Sequence, residues 1–170
     1  KKIDSLTFVL SQNHDTTCHS FYKLQSFKGL ILIRDDKIGE AIIHFTDLIN
    51  KLHNTNHKDL LAHAYLSLAL IHELLERKEA CKNNLDLANE IITKFKLKEP
   101  SIRYYVRLSS YERIFNRNKI GCVEFARKAL ANMQYFNDLN DLADAYLLIS
   151  LCEVDKNIVE EFRNKAIEMH

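Results

Sequence analysis

The chain has 170 residues, and only four of them are Gly or Pro: Gly29, Gly39, Gly121 and Pro100. Average usage of these two residues is roughly 12%, and a sandwich or barrel needs a turn signal every dozen residues or so, so all-β folds and glycine-cradled phosphate loops are excluded. A net charge of +1, from 24 basic and 23 acidic side chains, lacks the basic excess of a nucleic-acid-binding segment, and no apolar run reaches the roughly 20 residues that span a bilayer.

In chain order, Ile3, Leu6 and Leu10 give an apolar edge to a helix predicted over 2–12. It reads as the second helix of a pair that starts upstream. The absence of an initiator Met fits a fragment of a larger protein. Four helix pairs are then expected, over 15–53, 57–97, 99–135 and 138–169. Short polar breaks divide each pair: Asp35-Asp36-Lys37, Glu76-Arg77-Lys78, Asn116-Arg117-Asn118 and Asp155-Lys156-Asn157. Asn56, and Asn137 or Asp138, have the side chains of helix N-caps, and Pro100 falls where a helix opens and needs no N–H. The clearest stripes at helical spacing are Leu61, Tyr65, Leu68, His72 and Leu75, then Cys81, Leu85, Ala88, Ile92 and Phe95.

The pairs repeat. Leu61 to Ala69 matches Leu142 to Ser150 at an offset of 81 residues, and half of that recurs between them. Ala41, Cys81 and Cys122 are 40 and 41 residues apart, with Phe45, Leu85 and Ala126 four residues after them, and Leu48, Ala88 and Ala129 three further on. Such units bury their faces only against their neighbours. The expected fold is therefore all-α: an α-solenoid, a right-handed superhelix of antiparallel helix pairs with about nine helices. Two registers stay open in the first and third pairs. Leu24, Phe27 and Ile31, or Tyr104, Leu108, Tyr111 and Phe115, can be the buried stripe.

These residues resemble the tetratricopeptide repeat family. In the second pair Tyr65, Leu68, Ala69, His72, Cys81, Leu85 and Ala88 follow that family's alternation of aromatic, Leu and small positions; Ala41 and Phe45 match in the first, Cys122, Ala126 and Ala129 in the third, and Tyr146, Ile149 and Ser150 in the fourth. The family's usual period is about 34 residues. The longer period is similar to repeats of bacterial regulators, such as peptide-pheromone sensors of the Rap and PlcR type and the sensor region of MalT-type activators. The resemblance implies a protein or peptide partner held in a concave groove lined by the first helix of each pair.

The expected groove residues are Lys23, Phe27 and Arg34 from the first pair, His63 and Leu70 from the second, Tyr104, Arg107 and Tyr111 from the third, and Asp144 from the fourth. Arg can grip a carboxylate with two parallel hydrogen bonds, and Tyr anchors interfaces well. The plainer alternative puts Tyr104 and Tyr111 in the core and Arg107 in solvent.

Other constellations carry less. Eight histidines make chance pairs such as His14 and His19, or His53 and His57, but no Cys or carboxylate completes a metal-ligand set. Cys18 and His19 are adjacent, so on a helix they point apart and do not form a nucleophile–base pair. No catalytic set, metal or cofactor is expected. Cys18, Cys81, Cys122 and Cys152 show no CxxC spacing and are expected as buried free thiols of a cytoplasmic protein. The functional expectation is a non-catalytic binding domain of a regulator, with no direct nucleic acid and no membrane. The alternative is an oligomerisation or scaffold segment, for example a homodimer through exposed end helices.

Overall fold

The computed structural model describes residues 18–132, 139–153 and 155–168. The helix expected over 2–12 and the caps Asn137 and Asp138 lie outside them. The described residues form eight helices and no strand. We number them α1 (His19–Arg34), α2 (Ile38–Leu52), α3 (Lys58–Leu74), α4 (Lys78–Phe95), α5 (Lys98–Ile114), α6 (Lys119–Leu130), α7 (Leu139–Cys152) and α8 (Lys156–Ile167).

Each helix packs on the next in sequence, as in a helical solenoid. The odd-numbered helices also touch one another: α1 meets α3, α3 meets α5 and α5 meets α7. No comparable contact joins α2 to α4, α4 to α6 or α6 to α8. The array is therefore tighter on the side of the first helices, which places them on the inside of its curvature.

The repeated positions form the core. Ala41, Cys81 and Cys122, then Phe45, Leu85 and Ala126, then Leu48, Ala88 and Ala129 are all buried. Each cluster joins one pair to the first helix of the next. Phe45 and Leu48 of α2 meet Leu61 and Leu68 of α3. Cys81 and Leu85 of α4 meet Tyr111 of α5. Cys122 and Ala126 of α6 meet Ala145 and Ile149 of α7. Burying a side chain of the size of Leu or Phe is worth about 1.5–3 kcal/mol, so each pair draws part of its stability from its neighbour. Ser109, itself buried in α5, donates its hydroxyl hydrogen to the Cys122 carbonyl at 2.7 Å and so needs no water.

Four of the turns use a residue in the left-handed region, and none of these is glycine: Asp36, Glu76, Lys96 and Arg117, with φ between 52° and 58°. Three of them end first helices. There, the Lys37 N–H bonds the Leu32 carbonyl at 2.8 Å and the Arg77 N–H bonds the His72 carbonyl at 2.8 Å, closing each helix in a Schellman-type turn. In the third pair the matching bond runs from the Asn118 N–H to the Glu112 carbonyl at 2.9 Å, one residue further back. One residue is thus inserted before Arg117. It turns the offset of 40 between first helices into 41 between the second helices that follow.

Three expectations are corrected. The cap of α3 is His57, without a side-chain hydrogen bond, and not Asn56. Cys122 and Cys152 form a disulfide between α6 and α7, which leaves Cys18 and Cys81 as thiols. Their 30-residue separation hid this, because the repeat folds α7 back onto α6 and brings the two Cα atoms to 6.5 Å. Cys18 is not simply buried: its Sγ caps α1 by accepting the Phe21 N–H at 3.3 Å.

Gly29 is buried where α1 crosses α2, and a Cβ there would lie 2.5 Å from Phe45 Cζ and 3.0 Å from His44 Cδ2. Alanine would gain about 1 kcal/mol of helix propensity but would overpack a fully buried ring, which costs about 1–3 kcal/mol. We expect Gly29→Ala to lower the urea-unfolding free energy by about 1 kcal/mol, and Phe45→Leu in the same chain to remove that penalty. At the turns the sign reverses. Glu76→Gly should raise stability by about 0.5–1 kcal/mol, because a left-handed non-glycine residue is disfavoured by about that much. The control Glu90→Gly, at an exposed position inside α4, should lower it by about 1 kcal/mol.

Candidate functional site

The inner side of α1, α3 and the start of α5 encloses a groove of about 710 Å³, within the range of small-ligand and peptide-anchor pockets. Phe27 and Leu30 of α1, Leu60 of α3, and Leu97 and Pro100 at the entry to α5 give it apolar walls. Lys23, His63 and Arg103 are among its polar members. Phe27 is 48% exposed, although apolar side chains around it are largely covered.

A ladder of charge pairs crosses the groove and continues beyond it. His19 of α1 lies 2.8 Å from Asp59 of α3. His63 of α3 lies 2.5 Å from Glu99 of α5. Arg103 of α5 grips Asp141 of α7 through Nε at 2.9 Å and Nη2 at 2.8 Å. Asp59, Glu99 and Asp141 each sit in the first turn of their helix, where the helix dipole favours an acid. The preceding first helix supplies the base each time. A further pair, Arg107 to Asp144 at 2.6 Å, joins α5 to α7.

His63 joins two rungs. Its Nε2 faces Glu99, and its Nδ1 lies 3.3 Å from Arg103 Nη1. An arginine nitrogen can only donate, so Nδ1 accepts and Nε2 carries the ring proton. Burial pushes the Glu99 carboxyl up, but the His63 hydrogen bond and the Arg103 charge bring it below its ordinary value. At Asp59 burial likewise raises, and the His19 hydrogen bond helps to bring the net value below ordinary.

Of the nine expected groove residues, Lys23, Phe27 and His63 line the groove. Arg107 and Asp144 do meet, but with each other, so neither offers an open grip for a ligand. Arg34 bonds its neighbour Asp35 at 3.2 Å. Leu70 is half-buried on α3 and outside the groove lining. Tyr104 packs toward the core of the second pair, and Tyr111 is 5% exposed within it. The inserted residue before Arg117 explains this. Counting back by 40 makes Arg103 the counterpart of His63; counting by 41, as in the second helices, puts Tyr104 there.

Residues absent from the expectation do much of the work: Asp59, Glu99, Arg103 and Asp141. Their signal was a charge pair at near-repeat spacing, 36 to 40 residues apart. Cys18 and His19 go separate ways: His19 faces Asp59 while Cys18 Sγ accepts a backbone N–H. Among the described residues, no three His, Cys, Asp or Glu side chains gather as a metal site, and no helix is long and apolar enough to cross a membrane.

No protein-family model matches the chain, and no curated protein matches it.

Glu73 of α3 lies behind Arg107. Its Oε1 accepts the Ser110 hydroxyl at 2.8 Å, while Oε2 is buried without a hydrogen bond, as is Arg113 Nε. Burial pushes Glu73 above the ordinary carboxylate range, against the pull of the Arg107 charge, the Ser110 hydrogen bond and the Arg113 charge. Burial, then Glu73, pushes the nearby Cys81 thiol up to about 12, so it stays protonated. An acid whose pKa rises on folding adds stability below its unfolded pKa and loses it as pH climbs through the folded one. Ionised Glu73 therefore costs stability at neutral pH. Glu73→Gln, which keeps the acceptor for Ser110, should melt above the parent chain at pH 7.5, and the two should converge as pH approaches about 4 in thermal scans followed by circular dichroism.

Proposed function

We propose that this chain is a non-catalytic binding module, built in the manner of tetratricopeptide repeats, that holds a peptide or partner segment in the groove of α1, α3 and α5. We further propose that it serves as the sensor or interaction part of a larger bacterial regulator. The observation that carries the reading is the groove itself. It is about 710 Å³, lies on the inner side of the first helices, and has an apolar ring left half open. Phe27 fits the role of an anchor pocket wall, since aromatic residues dominate binding energy when a partner covers them. The ladder of hydrogen-bonded pairs supports the same reading. It fixes the spacing of the three helices, so the groove is formed before any ligand arrives, and a preformed site loses less entropy on binding.

The groove is favoured over an end-to-end association surface by the composition of α8. Glu160, Glu161, Arg163 and Asn164 are exposed there, with Ile167 the single exposed large apolar side chain of that helix. A charged face is poorly suited to apolar association.

The test is calorimetry against dodecapeptides selected on the chain by phage display. Phe27→Ala and Lys23→Ala should each weaken binding at least about fivefold, near 1 kcal/mol. Ile43→Ala, at an exposed site on α2, should leave it unchanged. Equal affinity for Phe27→Ala and the parent chain would remove the groove from consideration.

A further inference from the structure

We propose that Cys122 and Cys152 form a reversible redox latch. Small-molecule thiols open it, small-molecule disulfides close it, and its state sets how firmly α7 and α8 are held to the array.

The position of the bridge recurs in the repeat. Ala41 and Ile71, Cys81 and Tyr111, and Cys122 and Cys152 stand 30 residues apart in each case. The first member always lies on a second helix and the other on the first helix that follows. Each couple is buried within one cluster that joins neighbouring pairs. Ala with Ile, and Cys with Tyr, fill the position by packing alone. Two cysteines occupy less volume than either couple. Without a bond the third contact is the least filled of the three, and an underfilled core position destabilises what it joins. The bond offsets that deficit by tying α6 to α7.

The surroundings accept both states. Cys122 Sγ lies 3.6 Å from the Leu148 carbonyl, which can accept from a thiol, and 3.4 Å from the Ser109 hydroxyl. Opening the bond therefore leaves no unsatisfied donor at Cys122. Cys122 and Cys152 are 0% and 2% exposed, so exchange needs a local opening. Cys152 ends α7, and helix ends fray, which makes its sulfur the one attacked. A small-molecule thiolate bonds to Cys152 Sγ, the bond to Cys122 Sγ breaks, and Cys122 leaves as a thiolate that takes a proton. A second small-molecule thiolate attacks the outer sulfur of the mixed disulfide, and Cys152 leaves as a thiolate that takes a proton. Two electrons pass to the protein from two thiols, which depart as one small-molecule disulfide; closing the latch reverses each step. Because α7 also carries Asp141 and Asp144, a loosened α7 loosens their hold on Arg103 and Arg107 of α5.

The test uses the 170-residue chain with Cys18→Ser, which removes the half-exposed thiol and leaves buried Cys81. The folded chain is equilibrated in reduced or oxidised glutathione, quenched with acid, denatured and alkylated, and its intact mass counts the thiols. One thiol, Cys81, is expected in oxidised glutathione and three in reduced. Hydrogen exchange followed by mass spectrometry should be at least about tenfold slower over α7 and α8 in the oxidised chain, and within about twofold over α2 and α3. Three thiols in oxidised glutathione, a glutathione adduct in place of the bridge, or one thiol persisting in reduced glutathione would each overturn the latch. So would equal exchange over α7 and α8 in both states. Cys122→Ala together with Cys152→Ile restores the filling of the first contact and should exchange over α7 about as slowly as the oxidised chain; fast exchange there would overturn the volume deficit. If that variant unfolds by circular dichroism, Cys152→Ser carries the comparison. It should exchange like the reduced chain in both buffers, and slowing by oxidised glutathione would overturn the role of this pair.

Discussion

Each first helix is joined to the next by a charge placed in advance. The acid stands in the opening turn of the receiving helix, at Asp59, Glu99 and Asp141, where the helix dipole already favours it. The base comes from the helix before, as His19, His63 and Arg103. Apolar packing alone would let the inner helices slide, since a stripe of similar side chains tolerates small shifts. A hydrogen-bonded pair at 2.5–2.9 Å does not. The pairs also become more enclosed along the array. His19 and Asp59 are exposed, whereas the Arg103 and Asp141 side chains are only 20% and 10% exposed. Removing one partner from such an enclosed pair is far more damaging than doing so at the surface.

That constraint also decides what the groove can offer a ligand. A side chain committed to a rung is not available to grip something else. Arg107 looked like the natural anion clamp in the sequence, and in the structure its guanidinium is spent on Asp144. What remains is a smaller set: the Phe27 ring, the apolar walls around it, and the Lys23 ammonium. Recognition and architecture thus draw on the same helix faces but on alternate side chains.

The repeat was readable because small and bulky residues recur on the second helices, where the packing demand is strictest. Ala41, Cys81 and Cys122 can be compared without knowing any contact. A lone glycine inside a helix, as at Gly29, leaves room for a close neighbour, and Phe45 takes it. The first helices were harder. They are apolar on two sides, toward their own partner and toward the preceding pair, so α5 presents two stripes and its register could be taken either way. The extra residue before Arg117 then moved the comparison by one position, which exchanged Arg103 for Tyr104. Nothing in local propensity marks such an insertion, because the turn still closes with one left-handed residue and one backward hydrogen bond. Opposite charges one repeat apart would have marked it, since Arg103 and not Tyr104 completes the series His19, His63.

The left-handed turn residues have a consequence for the unfolded chain. Asp36, Glu76, Lys96 and Arg117 each hold a conformation that glycine would enter without penalty. The described residues bear that strain at four places. The unfolded protein, however, is correspondingly stiffer, because a chain with only three glycines has fewer backbone states to surrender on folding. A solenoid must order every one of its turns without the help of long-range closure. For such a molecule a less disordered starting point offsets part of the strain at each turn, and it does so once per repeat.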